Sequence, residues 1–515
     1  IIFFKKEGSG EYVLYSPSDH GPQSLIADYL GNLQDVREAY EQLYKLEPNL
    51  ARQTLSLIPG ESVAPGFVSL ASNTLLSNVF AYPQKKVTDK YAEAILKYKD
   101  VVEVEYTANY IDSDSLVRVI KDDSGFFLVH YSLEPKKLSV EYEDGKYNAN
   151  FELNGRISDL QGNTVYQYGK DFPVSLTQEQ IQDMKSKLFA LQDMFPLLPG
   201  HYNFNLLIKN TVSREFTSAE GDITVPEDIS ALAMSSLTLG YKVERSLGAS
   251  TEIAPFRVGE SQILCQSRNI FTPRDSLAVF FQLFGLNDEL KSQGLIRMTF
   301  WRGEEEVFSK TKKISEHQTG MNFIDEYSLA SFPPGYYRIK VSVLDKDGNE
   351  LLFEKENFEI SPAADLPKPL IISKVMPASR LEEYFYILGI QFLNKGNLKD
   401  ASSYLEKAYD GNPAQLKLAL GYSQALFLSD QYRRVKEILL PFVNTPDETD
   451  GVLYFIGKSC HALGQFEEAI LYYKKYLSRF GTNIEILNLM GTCYYKQGNV
   501  KEALQLWQNS LKVNP

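Results

Sequence analysis

The sequence predicts a multidomain chain of mixed α and β type, with a helical lead-in, two β-sandwiches in series and a C-terminal α-solenoid. Three observations predict it. Residues 382–515 align with themselves in lines of 34. From Val101 to about residue 360 the apolar residues alternate with a period of two, cut by short turn signals. Lastly, a Pro-Gly turn ahead of an alternating strand occurs twice, about 135 residues apart, in Phe195-x-x-x-Pro199-Gly200-His201-Tyr202 and Phe332-x-Pro334-Gly335-Tyr336-Tyr337.

The solenoid is the most specific of these. With lines starting at Glu382, Leu416, Asp450 and Ile484, column eight reads Gly389, Ser423, Gly457, Gly491. Column twenty reads Ala401, Val435, Ala469, Ala503, and column twenty-four Leu405, Leu439, Tyr473, Trp507. Small residues recurring at fixed columns let two helices of a hairpin touch, and we place Gly389 and Ala401 at that crossing. Gly396-Asn397, Gly464-Gln465 and Gly498-Asn499 supply the positive φ that ends the first helix of a hairpin. The second line is degenerate, with Ser423 for the glycine and Asp430-Gln431 in the turn. The 34-residue period and these columns resemble the tetratricopeptide repeat family.

Such hairpins cannot bury their apolar faces singly, so they stack and leave a concave surface lined by the first helix of each pair. In the family this surface takes columns two, five, nine, twelve and thirteen. The resemblance therefore makes Tyr386, Ile390, Leu393, Gln424, Phe427, Tyr454, Lys458, His461, Asn488, Thr492, Tyr495 and Lys496 the candidate partner-binding residues. Aromatic and polar side chains are mixed there, as in protein-binding surfaces. Tyr386 and Ile390 occupy the first positions of the Lys/Asn pattern by which chaperone-binding relatives clamp a C-terminal carboxylate, which disfavours that ligand.

Composition bounds the rest. The 515 residues are 43% apolar and 23% charged, enough for several globular domains. A net charge of −13 argues against nucleic acid, whose binding rests on Lys and Arg displacing counterions. Cys265, Cys460 and Cys493 form no disulfide framework and no C-x-x-C pair, and the last two fall in repeat helices where packing explains them. No apolar run reaches eighteen residues, so no transmembrane span is expected. The chain opens Ile1-Ile2 without Met and ends at Pro515 without a capping helix, from which we expect a removed leader or further residues.

In order, residues 1–98 read as mainly helical. Leu25, Tyr29, Leu33, Val36, Tyr40, Leu43 and Leu46 form one stripe, and a further helix runs from Asp89 to Tyr98. Strands then follow in two units, 99–228 and 232–362. In the first, Asn150 to Gly155 has Phe280 to Gly285 of the second as its expected counterpart. The short-strand spacing and the repeated pattern predict both units as homologous immunoglobulin-like sandwiches, and a Tyr just past each Pro-Gly turn is either a tyrosine corner or a plain core Tyr. Pro362, Pro367, Pro369 and Pro377 mark a semi-rigid connector over 363–380, before four repeats over 381–515.

The order as a whole, with the stretches DVVEVEYTANYI, FFLVHYSLEPKKLSV, NGRISDLQGNTVYQY and FPLLPGHYNFNLLIKNTVSREFTS, resembles bacterial exported proteins of the GWxTD-domain and VWFA-related groups. The GWxTD motif itself is absent, as is a metal-binding DxSxS. The resemblance implies export to the periplasm or cell surface, and says little of activity.

No catalytic constellation stands out. His20, His130, His201, His317 and His461 are scattered, with no HExxH. GVLYFIGKS at 451–459 is one residue too long for a phosphate loop and lies in a repeat helix. Asp345-Lys346-Asp347-Gly348-Asn349 begins like a calcium loop but has its Gly too early, so a hairpin turn is expected. The function these features favour is a non-enzymatic scaffold, without cofactor or metal, whose repeat groove binds a protein partner while the sandwiches act as spacers in a larger exported assembly. One alternative is a carbohydrate- or surface-polymer-binding protein using Trp301, Tyr142 or Tyr166; another is a non-catalytic subunit of an enzyme complex.

Overall fold

The computed structural model describes residues 3–5, 12–14, 45, 110–136, 139–143, 146–177, 189–245, 252–317, 320–373, 376–377 and 380–513. The chain divides into two compact units, Ile1–Tyr98 and Lys99–Pro515. In the first, strands β1 (Phe3–Lys5) and β2 (Tyr12–Leu14) pair antiparallel. The helical stripe expected at 25–46 and the helix at 89–98 lie outside the described residues, except Lys45, which is helical.

The second unit begins with β3 (Ser113–Lys121), β4 (Phe127–Pro135), β5 (Glu141–Glu143), β6 (Lys146–Ser158), β7 (Thr164–Leu176), β8 (Phe189–Pro196), β9 (Gly200–Asn210) and β10 (Glu215–Val225). One sheet holds β3, β4 and β8, and the other holds β7, β6, β9 and β10 with β5 at an end of β6. Val129, Tyr131, Leu133 and Leu191 from the first sheet meet Phe151, Leu153, Phe204 and Leu206 from the second in one core. Period-two patterning puts these residues on facing sides, and their burial holds the two sheets together.

The next stretch carries β11 (Ala233–Met234), β12 (Thr238–Arg245), β13 (Glu252–Ile253), β14 (Arg257–Val258), β15 (Ser261–Cys265), β16 (Ile270–Phe271) and β17 (Ser276–Phe284). After the short helix α1 (Asp288–Gln293) come β18 (Leu295–Arg302), β19 (Glu305–Lys313), β20 (Asn322–Ser328), β21 (Gly335–Leu344) and β22 (Glu350–Ile360). Here β12, β17 and β20 face β19, β18, β21 and β22 across a second core containing Leu277, Val279, Phe281, Met298, Phe300, Ile339 and Val341.

The pairings make the two sandwiches near copies. Strand β4 sits between β3 and β8 as β17 sits between β12 and β20, and β6 sits between β7 and β9 as β18 sits between β19 and β21. This corrects the expected counterpart of Asn150–Gly155. It is β18, not Phe280–Gly285, because both β6 and β18 pair with the strand that follows the Pro-Gly turn. Both corner tyrosines close their turns: the Tyr202 hydroxyl donates to the Pro199 carbonyl at 2.9 Å and Tyr337 to the Pro333 carbonyl at 2.6 Å. Asp345 accepts from the backbone amides of Asp347 and Asn349 at 2.9 and 2.8 Å, which is a hairpin turn. Asp159 makes the same contacts with Gln161 and Asn163 at 3.0 and 2.8 Å.

Strand β4 is buried along nearly its whole length, because its second face lies against the other sandwich. Leu116 and Ile120 of β3 pack with Phe256, Ile263, Cys265 and Phe280. Around them several polar groups are matched. The Phe256 amide donates to Nδ1 of His130 at 2.9 Å, the Ser267 amide to Glu134 at 2.7 Å, and Gln282 bridges both backbone groups of Lys121 at 2.7 Å each. Desolvation lowers the His130 pKa to about 3, so it is the neutral Nε2-protonated imidazole, as its accepting Nδ1 requires.

The connector is extended and stitched to both sandwiches. Strand β23 (Leu370–Ser373) adds in parallel to β8, and β24 (Met376–Pro377) pairs with β13. Eight helices follow as four hairpins: α2 (Glu382–Asn394) with α3 (Leu398–Gly411), α4 (Leu416–Leu428) with α5 (Tyr432–Leu439), α6 (Asp450–Ala462) with α7 (Phe466–Phe480), and α8 (Ile484–Lys496) with α9 (Val500–Val513). Gly396, Gly464 and Gly498 hold φ near +80°, and Asp430 takes that place at +60° in the second hairpin. Helix α5 is short because Pro441 has no amide to continue it. Column eight meets column twenty-four rather than column twenty: a Cβ on Gly457 would lie 2.6 Å from the Tyr473 ring, and one on Gly389 2.5 Å from Leu405. Column twenty is also fully buried.

Candidate partner-binding surface on the repeats

The first repeat has two faces to account for. Gly421, in column six of the second repeat, lies against Tyr386 and Leu405 of the first. Column six therefore faces the preceding repeat. In the first repeat that side is taken by a sandwich. Ile387 packs against the core of the β3–β10 sandwich, and Tyr384 is buried with Leu128 and Met194. Gln391, fully buried, accepts from the Leu198 amide at 3.0 Å and donates to the Pro196 carbonyl at 2.7 Å. Asn394 donates to Val165 O at 3.0 Å, and the Lys395 ammonium reaches the Tyr202 hydroxyl at 3.3 Å. A β-sandwich thus does for α2 what an earlier hairpin would do: it covers the flank.

The inner columns remain on the surface from the second repeat onward. Gln424, Asn488 and Lys496 are exposed, and Tyr495 keeps 54% of its surface. At the centre, Lys458 lies 5.3 Å above the Phe427 ring and 4.7 Å above that of Tyr454. Its ammonium donates to the Tyr454 hydroxyl at 2.8 Å and to Glu485 at 3.0 Å, while that hydroxyl donates to Glu485 at 3.0 Å. Partial burial pulls the Lys458 pKa down, but Tyr454 and Glu485 more than offset this and leave it raised. Three successive repeats are therefore joined across the inner face by one aromatic and ionic ladder.

The other expected residues are more scattered. Tyr386 lies beneath the Lys417 ammonium, 4.7 Å from it, and Ile390 is half-buried against the core of the repeats. Leu393 is buried in the core of the repeats, so it offers nothing to a partner. His461 stacks edge-on with Phe466, its pKa lowered by burial and by Lys496. The Thr492 hydroxyl turns back to the Asn488 carbonyl at 2.9 Å, which also accepts from Trp507 at 3.3 Å, and Tyr495 lies beside the Trp507 ring. Glu485 and Lys417 were missed. Both stand in column two, which belongs to the inner face, so the signal was present.

Among the described residues no helix is long and apolar enough to cross a membrane. Of the expected glycan-facing aromatics, Tyr142 is 62% exposed and Trp301 half-buried, whereas Tyr166 is in the sandwich core and cannot stack on a ligand.

Two family models match the chain. The one described as anaphase-promoting complex, cyclosome, subunit 3 matches residues 394–476, and a tetratricopeptide repeat model matches 461–515. No curated protein matches. Among solved structures, "MamA AMB-1 P212121" is similar at 20% identity over 26% of this chain and 73% of that one, with a TM-score of 0.24. "MamA 41-end from Desulfovibrio magneticus RS-1" is similar at 18% identity over 25% and 74%, with a TM-score of 0.25. The family models and the helical hairpins agree on the same stretch, and the C-terminal part of the chain is an array of tetratricopeptide-type repeats.

Proposed function

We propose that the chain is a non-enzymatic scaffold that grips a partner polypeptide along the inner face of its repeats, with the sandwiches holding that face at a set position. The observation that carries this is the accessible ladder Phe427–Lys458–Tyr454–Glu485 beside exposed Tyr495, on an array whose other flank the chain itself covers. Aromatic rings and desolvated charged groups near the middle of an interface supply most binding energy. The three cysteines are structural: all are buried, and the Cys460 and Cys493 thiols are pushed up to about 11, away from nucleophilic thiolate.

The resemblance of the domain order to exported GWxTD-domain and VWFA-related proteins supports placement in an exported assembly, and immunodetection in fractionated cells checks it. For binding, the full chain is cross-linked under native conditions and the partner identified, then titrated against wild type and the combined Tyr454→Ala, Lys458→Ala, Tyr495→Ala variant. The expected loss is about 2 kcal/mol or more. Unchanged affinity removes the inner face from the mechanism.

A further inference from the structure

Where the two sandwiches meet there is an open cleft of ≈ 600 Å³, lined by side chains from both. Its floor comes from the outer face of the β16–β22–β21–β18–β19 sheet. Tyr337 and Ile339 of β21 point into the core, so the alternation turns Tyr336 and Arg338 outward. The register sets Glu359 opposite Tyr336 and Asn357 opposite Arg338, and Trp301 of β18 is opposite Arg338 on the other side. The wall is an ion pair between the sandwiches, Arg268 with Asp114.

Two features mark this cleft as more than a seam. Tyr336 is 77% exposed, the largest value for any big apolar side chain among the described residues. In the first sandwich the matching position after the Pro-Gly turn is His201, whose ring is engaged by Thr224 at 3.0 Å. The copies therefore differ at this ring: one is held by its own strand partner, and the other stands over a recess. The second feature is charge balance. Two guanidinium groups, Arg268 and Arg338, face two carboxylates, Asp114 and Glu359, and Arg338 Nε donates to Asn357 Oδ1 at 3.4 Å. The charges of the lining side chains therefore cancel.

We propose that this cleft binds a neutral saccharide, with the Tyr336 ring under the sugar's C–H face and Arg338, Asn357 and Glu359 on its hydroxyls. A pyranose offers one apolar face and an edge of paired hydroxyls. An exposed ring supplies the apolar partner, and the fixed forks of guanidinium, carboxamide and carboxylate each span two neighbouring oxygens. Recesses of this size with few convergent polar groups, at a boundary between domains, are the usual setting of small-ligand sites. The site is separate from the repeat groove and stands or falls without it.

The test is affinity electrophoresis of the full chain through native gels cast with a soluble β-glucan, an α-glucan, a galactomannan or a xylan. Wild type is expected to be retarded by at least one of them. Tyr336→Ala should weaken that retardation about tenfold, the scale a stacked ring supplies, while Tyr336→Trp keeps it. Because Tyr336 is exposed, both variants should melt with wild type, which separates lost binding from lost folding. Free migration of wild type in all four gels would overturn the proposal. So would equal retardation of Tyr336→Ala.

Discussion

The outer face of the β3–β4–β8 sheet and the inner face of the repeats carry the same kinds of side chain and use them in opposite ways. On the sheet, His130, Ser132, Glu134 and Gln192 are buried, the first three against the second sandwich. Several of their polar atoms meet a fixed partner, often a backbone amide. On the repeats, Lys458, Tyr454 and Glu485 bond to one another in reach of water. A buried polar group left unmatched costs about 1–3 kcal/mol, so closed faces must be satisfied internally and act as glue. An open face has no such demand, and its groups remain available to another molecule. Mutation should separate the two, with large losses of stability on closed faces and small ones on the open face.

The largest effect should come from Asp193, buried inside the first sandwich with Lys170 as its ion partner and the Tyr131 hydroxyl donating at 3.1 Å. Asp193→Ala strands the ammonium and should cost about 3–5 kcal/mol in urea denaturation. Gln391→Ala comes next. It orphans the Leu198 amide and the Pro196 carbonyl at the join between sandwich and repeats, at about 1–3 kcal/mol. Hydrogen exchange should then rise at both sides of that join before it rises in the sandwich cores. A change confined to the repeats would mean the join contributes little.

Acid should loosen the interface between the sandwiches through His130. Its folded pKa of about 3 lies below the unfolded value of about 6.5, so the unfolded chain takes up the proton first. The stability is whole above the unfolded pKa and is lost as pH falls from there toward 3, with a slope approaching about 1.4 kcal/mol per pH unit. Glu134, whose pKa burial raises, acts with the opposite sign, so the comparison must be made against a variant. His130→Gln keeps an acceptor for the Phe256 amide and should flatten the dependence. An identical slope in both proteins would assign it elsewhere.

Much of this contrast was legible along the chain, but only where the cause is local. The 34-residue columns reveal the repeats because each hairpin contacts its neighbour at fixed spacing, and Pro-Gly-x-Tyr reveals both corners because the hydroxyl bond spans three or four residues. The covering of β4 was not legible, since Phe127 to Pro135 reads simply as a strand and nothing nearby states that its second face meets residues over a hundred positions away. The prolines at 367 and 369 did signal an extended connector, yet not its pairing with β8, which depends on an edge formed by β8 and β4. On the inner face, columns were readable while partnerships were not: column two holds Glu485, but its bonds to Tyr454 and Lys458 appear only in the fold.

The smallest stability change should be at that carboxylate. Glu485→Gln keeps an acceptor and the volume but removes the charge opposite Lys458 at 3.0 Å, and Glu485 is half-exposed, so the cost should stay below about 1 kcal/mol. The ammonium would lose a partner that helps hold its pKa up, and would be freer to meet an acidic or carbonyl group brought by another chain. Partner affinity should therefore change, in a salt-dependent way, while the melting temperature hardly moves. If instead Glu485→Gln lowers the melting temperature as much as Gln391→Ala does, the inner face is closed structure like the sandwich interface, and the distinction between glue and grip fails for this molecule.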